Sequence, residues 1–530
     1  MVAENYTILG SIPSILSTSK AYFSLITILE TMKISIIVVI TALWASSITK
    51  CTVNDENTVW VDPAYTATDS LQTIVVWFED QYLENADSFL KKAEEFNDRK
   101  RGELRKEVML SLKTLSNSSF DKVKNQLNAP EYSEQILAVT QHWIINGFTC
   151  TVTTAGFNTI KTLEGVDKIF IKRPSSYSKG EDMGPEFIET KPASRFDVKS
   201  VESYPWNIEK IRAPEVWNEF GITGKGTLNV VHDSGFKLDV PALAETIYTN
   251  DGEIPGNGLD DDNNGFIDDY HGYNFDAELA NLNEPTIRRG TNIHGNMCAA
   301  LISGTFETNT KRSVGISPDS QWAPVIGSSN FEQAVEWAIE QGADTYSMSF
   351  SQPNLGEFRT HWRKVLEQGT LCGVVFISGA GNFAAGESEA PIPVQMRTPE
   401  DIPNVVLGVA GVGQDGKRPI FSSQGPVEWN TDYYKDGTVE KPDFATLNFE
   451  IPCIDPEGNL ANFANGNSLS SPHMAGIVSL MFSANPDLLP WKIKEILLET
   501  AEDIGDKGFD YQSGHGFVNA YDAVKAVLEL

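Results

Sequence analysis

An acid, an imidazole and a hydroxyl stand in three separate motifs of this 530-residue sequence. Asp233 follows the apolar run Val230-Val231-His232 and leads into Ser234-Gly235. His294 lies in Asn292-Ile293-His294-Gly295 and opens an apolar helical segment, Asn296–Ile302. Ser468 lies in Gly466-Asn467-Ser468-Leu469-Ser470-Ser471-Pro472-His473, between a glycine and a second helix. Pro472 fits the first turn of that helix, where no intrahelical donor is lost. Ser468 therefore falls near a helix N-terminus, whose N–H groups favour a developing negative charge. The three types together can perform nucleophilic acyl transfer. A serine hydroxyl is a poor nucleophile at neutral pH; an imidazole must take its proton, and a carboxylate must orient that imidazole and stabilise it once charged. Singly, each motif reads as a turn or a structural histidine; the three in this order are far more specific. No Gly-x-Ser-x-Gly elbow surrounds Ser468, which argues against an esterase of the α/β-hydrolase type.

A second constellation is acidic. Gly258–Asp269 reads GLDDDNNGFIDD. Asp260, Asp262 and Asn264 alternate, and Gly265 permits a tight turn, which is the opening half of a calcium-loop pattern. The distal glutamate of an EF-hand is missing, so the expected shell is Asp260, Asp262, Asn264, the Phe266 carbonyl and Asp268 or Asp269. The alternative is a solvated acidic turn. So many carboxylates repel one another without a cation, so a structural Ca2+ is the expected cofactor.

These groups need a frame. From Pro205 to Leu530 short apolar runs alternate with helical segments. Leu228–Val231, Trp322–Ile326, Tyr346–Phe350, Gly373–Ser378 and Asn404–Val409 read as buried strands, with helices over Phe331–Gln341 and Phe358–Gln368. The pattern predicts an α/β fold: a parallel sheet covered by helices on both faces, with ligands at the carboxyl ends of the strands. Residues 71–173 read as a separate small α+β unit, with β-rich runs at Thr73–Phe78, Gly147–Thr154 and Val166–Ile171 around a charged helical stretch, Tyr82–Val123. Residues 174–204 have linker composition and would be open to proteolysis.

Near the N-terminus, Lys33, the apolar Ile34–Trp44 and the small Ala45-Ser46-Ser47 form a signal-peptide pattern over 32–50. Met32 stands where such a peptide would begin, so 1–31 read as an upstream extension. A rival reading joins Tyr22–Leu29 to the later run as a membrane anchor, but Glu30 and Lys33 interrupt it. The composition is ordinary for a globular chain, 41% hydrophobic and 21% charged, and its length allows about two to four domains. The net charge of −31 argues against a nucleic-acid partner. Five cysteines are too few for a disulfide scaffold, and the sequence does not say whether any two pair.

The motifs resemble those of the subtilases, the subtilisin-like serine peptidases, across Pro205–Leu530. Asp233-Ser234-Gly235, His294 to Gly304 and Gly466 to Gly476 match the family's three catalytic motifs; Trp206-Asn207 to Gly226, Phe421–Gly425 and Lys441-Pro442-Asp443 match further landmarks. The acidic loop and the spacing resemble the bacillopeptidase-like branch. The resemblance implies the three-layer subtilisin-like fold and an endopeptidase with Asp233, His294 and Ser468 as its triad. It implies that Asn382 is an oxyanion donor beside the Ser468 N–H. It places substrate at Ser347, Met348 and Ser349, as an edge strand that pairs with extended peptide, and at Gly379 and Ala380. Similar calcium loops occur in extracellular members. Residues 71–173 resemble the family's propeptide, most clearly at Trp143–Phe148 and Leu163–Val166, implying an intramolecular inhibitor cut off within 174–204. The implied protein is a secreted monomer acting on proteins or peptides. The sequence departs from the family pattern at Asn467 (usually Thr), Met297 (usually His), Asn448 (commonly Gly) and Phe350-Ser351, where a glycine is common second. Cys298, four residues after His294, matches a cysteine of the proteinase K branch; it reads as a buried, inert thiol. Two rivals remain: a catalytically dead binding protein on the same fold, and a calcium-dependent surface protein.

Overall fold

The computed structural model describes residues 58–173, 204–277, 293–305, 313–386 and 388–530. The expected signal peptide (32–50), the upstream extension (1–31) and all of the linker but Tyr204 lie outside them. Val59–Leu530 forms one compact unit.

The N-terminal part is a five-stranded sheet with helices. Its elements are β1 (Trp60–Val61), β2 (Gln72–Phe78), α1 (Ser88–Glu95), α2 (Arg101–Leu127), β3 (Ile136–His142), β4 (Gly147–Val152), α3 (Thr154–Ile160) and β5 (Val166–Ile171). The strand order is β1-β5-β2-β4-β3. Because β1 pairs with β5, the sheet reaches upstream of Leu71, where the sequence had placed the start of the unit. The expected helical stretch is two helices, broken between Glu95 and Arg101. β2 is buried on both faces, and alternation explains how. Ile74, Val76 and Phe78 pack inside the N-terminal part, whereas Val75 and Trp77 join the core of the C-terminal part. A strand that serves two cores reads as a continuous apolar run, as TIVVWF does.

The C-terminal part carries a seven-stranded sheet. It comprises β6 (Leu228–His232), β7 (Tyr273–Asn274), β8 (Gln321–Ile326), β9 (Thr345–Met348), β10 (Val375–Gly379), β11 (Val406–Val412) and a last strand, Phe444–Leu447. The order is Phe444–Leu447, then β11-β10-β9-β6-β8-β7, with every neighbouring pair parallel. The longer helices are α4 (His294–Ser303), α5 (Phe331–Glu340), α6 (Arg359–Leu371), α7 (Ser470–Ala484), α8 (Pro490–Thr500) and α9 (Ala520–Leu528). This is the three-layer α/β subtilisin-like fold. α4 and α7 are mainly apolar and fully or nearly fully buried, as helices threading a core are.

The two parts meet through α5 and α6. Glu336 of α5 receives the backbone N–H groups of Trp143 and Ile144 at 2.5 and 2.8 Å. Gln368 of α6 donates to the Ile144 carbonyl, and Trp77 Nε1 donates to His361 Nδ1 at 3.0 Å. Lys172 Nζ lies 3.2 Å from the buried Glu332 carboxylate, and Arg101 Nη1 lies 2.6 Å from Asp344. Val75, Trp77, Leu104, Val108 and Phe170 share one apolar cluster with Trp337, Ile339, Phe358 and Leu366.

Candidate active site

The carboxyl ends of β6, β9 and β10 bring the sequence motifs to one place. Asp233 follows β6 and is buried; its Oδ1 receives the Ser234 N–H at 2.8 Å, which leaves Oδ2 toward α4. His294 is the first residue of α4, and its Nδ1 lies 2.7 Å from Asp233 Oδ2. A carboxylate accepts, so Nδ1 carries the hydrogen and Nε2 is the basic nitrogen. The glycine after His294 allows the approach. A Cβ on Gly295 would stand 2.6 Å from the Gly235 carbonyl and 2.5 Å from the Phe236 ring, so the histidine helix could not dock on the aspartate loop.

Ser468 sits half-buried in the short turn Asn467–Leu469 that feeds α7. Its carbonyl receives Ser349 Oγ at 2.8 Å and Cys298 Sγ at 3.6 Å. Cys298 lies one helical turn after His294, so this contact ties the serine turn to the histidine helix. The Cys298 thiol is driven well above its ordinary pKa, first by burial and then by the Asp233 charge, which keeps it protonated and unreactive. Gly379 at the end of β10 faces the serine turn, where an added Cβ would lie 2.0 Å from the Asn467 carbonyl.

Asn382 is buried, and its Oδ1 accepts the Asn467 N–H at 2.8 Å. A backbone N–H can be received only by the amide oxygen, so the orientation of the amide is set and Nδ2 is the end left to donate. Asn382 and Ser468 line one recess with Ser349, Phe350, Ser351 and Phe383. Two departures from the family pattern turn out to be partners. Asn448 Nδ2 donates to Asn467 Oδ1 at 2.8 Å, and Asn467 Nδ2 donates to the Gly381 carbonyl and to Ser422 Oγ. Asn448 is accommodated because residue 411 is glycine: a Cβ there would lie 2.2 Å from the Asn448 side chain. These buried amides hold the loop that carries Asn382.

The substrate residues expected from sequence need correction. Ser347 and Met348 lie in β9, which pairs with β10 on one side and β6 on the other, so neither has a free edge to offer a peptide. Both side chains are buried; Ser347 Oγ bonds Ser471 Oγ at 2.9 Å. The continuation Ser349-Phe350-Ser351 is also buried but leaves the pairing of β9 and lines the recess. Gly379 borders the recess, whereas Ala380 is fully buried and its N–H is held by the Val409 carbonyl. Phe350-Ser351, noted from sequence as a departure from the family pattern, line the recess, and so do Gly381 and Phe383, which were not expected there; their neighbours in the chain were the available signal.

In the acidic loop, Asp262 and Asp269 come together with Glu253, their ligand oxygens all within 4.8 Å of one another. Glu253, upstream of the motif, was missed. Its Oε1 receives the N–H groups of Asp261 and Asp262, and its buried Oε2 has no hydrogen-bond partner among the described residues. Asp269 receives Trp337 Nε1 and Asn264 Nδ2. Burial first, then neighbouring carboxylates, push both Glu253 and Asp269 above the usual carboxylate range. Asp260 instead caps the N–H groups of Asn264 and Gly265, and Asp268 those of Asn257 and Gly258. The Phe266 ring anchors the loop on Tyr273 and Phe275. Hard oxygen donors converging around an unserved carboxylate oxygen fit a calcium ion. Cys150, Cys298, Cys372 and Cys453 are all buried free thiols.

The family model for the subtilase family matches residues 224–516. Bacillopeptidase F of Bacillus subtilis (strain 168) is 23% identical over 451 residues, covering 80% of this chain and 29% of its own length. Subtilisin-like protease 1 of Plasmodium berghei (strain Anka) is 24% identical over 339 residues, 61% of this chain and 54% of its own. M-protease of Shouchella clausii (strain KSM-K16) is 24% identical over 328 residues, 61% of this chain and 70% of its own. The chain thus spans well under two thirds of the first two relatives. Among the described residues, no helix is long and apolar enough to cross a membrane.

Proposed function

The chain belongs to the subtilase family, and on that premise we propose that it is a serine endopeptidase made as a self-inhibited precursor. The observation that carries this reading is the 2.7 Å bond from His294 Nδ1 to Asp233 Oδ2, with Ser468 and the oriented Asn382 amide beside one recess. Ser468 Oγ attacks the scissile carbonyl as His294 Nε2 takes its proton. The Asn382 Nδ2 and the Ser468 N–H receive the oxyanion. The protonated His294 then gives its proton to the leaving amine, and water repeats the sequence on the acyl-enzyme. One oxyanion donor contributes about 2.7–4 kcal/mol to the transition state.

Residues 71–173, extended by the Trp60–Val61 strand, act as the inhibitor, and cleavage falls within 174–204. The similarity to Bacillopeptidase F supports this: it covers more of the chain than 205–530 could supply, so it extends into the N-terminal part. Lys172 and Arg173, where that part ends, abut Gln352, the residue after Ser351 of the recess. Residues 32–50 direct secretion, and the enzyme works as a monomer on protein or peptide substrates. Glu253, Asp262 and Asp269, with Asn264 close by, hold a structural calcium ion that ties the acidic loop to α5 through Trp337.

The test is casein hydrolysis by the purified chain beside Ser468→Ala, with and without calcium chelation. The wild type should cleave and lose thermal stability on chelation; the variant should be inert and accumulate as uncut precursor. If both are inert once the linker has been cut, the reading fails and a binding protein on this fold takes its place.

A further inference from the structure

Glu400 is a fully buried carboxyl group in the segment between β10 and β11. Its Oε1 receives Ser351 Oγ at 2.6 Å and the Arg397 backbone N–H at 2.9 Å. Its Oε2 is buried and has no hydrogen-bond partner among the described residues. Nor does any lysine or arginine side chain pair with Glu400 there. The neighbouring Asp401 adds repulsion, and its own counter-charge is Arg359, at 2.7 Å. A buried carboxylate without a counter-charge is costly, and burial accordingly pushes the Glu400 carboxyl up to about 8. Burial of this kind favours the neutral acid, which a cation brought close by a substrate would draw back to the carboxylate.

Ser351 connects this acid to the reaction centre. It lines the same recess as Ser468 and Asn382. Its hydroxyl proton is committed to Glu400, so the oxygen presents only lone pairs to whatever enters. Phe350 and Phe383 flank the recess. The Arg397 guanidinium lies 3.5 Å over the Phe383 ring, and aromatic walls accept the aliphatic stem of a long basic side chain.

We propose that the recess receives the side chain preceding the scissile bond, and that Glu400, acting through Ser351, selects lysine or arginine there. This rests on the peptidase reading above and gives it a substrate class.

The experiment uses the full chain after linker cleavage, with active sites titrated by a serine-directed phosphonate. Peptide nitroanilides differing only in the residue before the cleaved bond (Lys, Arg, Phe, Leu) are compared by kcat/KM. Lys and Arg should exceed Phe and Leu by about tenfold or more, as expected for a hydrogen bond to a charged group. Glu400→Gln should lower the Lys/Phe ratio by about 10- to 100-fold, and Ser351→Ala should lower it in the same direction. If Glu400→Gln does not fold, Ser351→Ala decides. A titrated, active enzyme that prefers Phe or Leu, or variants whose Lys/Phe ratio stays within about threefold of wild type, overturns the proposal while leaving the peptidase reading intact. A chain with no titratable serine overturns both.

Discussion

Removing the Arg101 charge should loosen the N-terminal part from the rest of the molecule. Arg101 opens α2, and its guanidinium crosses into the C-terminal part. Nη1 lies 2.6 Å from Asp344 Oδ1, Nε donates to the Pro486 carbonyl at 2.9 Å, and the planar group lies 4.0 Å over the Phe482 ring. The side chains of the pair are only 10% and 8% exposed, so solvent screens them little. Arg101→Met keeps the apolar stem and deletes the charge. Among the described residues Asp344 then keeps one side-chain hydrogen bond, from the Leu228 N–H at 2.8 Å, with the Arg105 charge acting on it from a distance. Leaving one member of a buried ion pair uncompensated costs about 3–5 kcal/mol. At about 1.4 kcal/mol per factor of ten, release of the N-terminal part becomes two to nearly four orders of magnitude easier. The measurement is made on the Ser468→Ala chain after the linker is cut in trans, following release by size-exclusion chromatography and tryptophan fluorescence. The double variant Arg101→Met, Asp344→Leu, which removes both charges, should recover most of the loss. A change of less than about fivefold for Arg101→Met, worth about 1 kcal/mol, would refute the claim that this pair holds the two parts together.

Two further outcomes follow from other sites. Asn448→Gly deletes the amide that donates to Asn467 Oδ1; losing that one hydrogen bond, about 1 kcal/mol, should lower kcat about fivefold with KM nearly unchanged. Adding Asn467→Thr should restore part of it, and an unchanged kcat in Asn448→Gly would show that the pair does not position Asn382. Acid should destabilise the fold through buried neutral histidines. His473 Nδ1 bonds the Leu469 carbonyl at 2.6 Å and Nε2 faces Asn207 Nδ2 at 3.0 Å, an arrangement only the neutral ring satisfies. Burial holds His473 down at about 4 and His232 at about 3. Their folded values lie below the unfolded 6.5, so the stability they contribute is present above that pH and is lost as pH falls toward the folded values. Each histidine accounts for about 1.4 kcal/mol per pH unit in that window. Urea midpoints between pH 7 and 5 should show the fall, and His473→Gln should make it shallower; an unchanged slope would sink the assignment.

Much of the sheet was legible in advance because its strands are local apolar runs: Leu228–Val231, Trp322–Ile326 and the run ending at Ser378 all lie within or beside observed strands. Less legible were Ile136–His142, whose polar, half-exposed residues mark an edge of its sheet, and Phe444–Leu447, four residues behind a proline-containing turn. Bounds also slipped by a few residues, as at Tyr346–Phe350, where pairing ends at Met348 and the chain turns to line the recess.

Sequence alone determined which residue types stand at Asp233, His294 and Ser468, and it supplied Gly295, whose missing side chain lets the first two meet. Those features depend on side-chain chemistry and on contacts within a few residues, which a linear string records. Tertiary structure decided the rest. It buried Ser347 and Met348 by pairing β9 on both edges, brought Glu253 to Asp262 and Asp269, joined Asn448 to Asn467, and set Glu400 behind Ser351. Each of these unites residues distant in the chain or turned by a loop, and no local periodicity encodes which of many carboxylates or amides will face one another once the core closes.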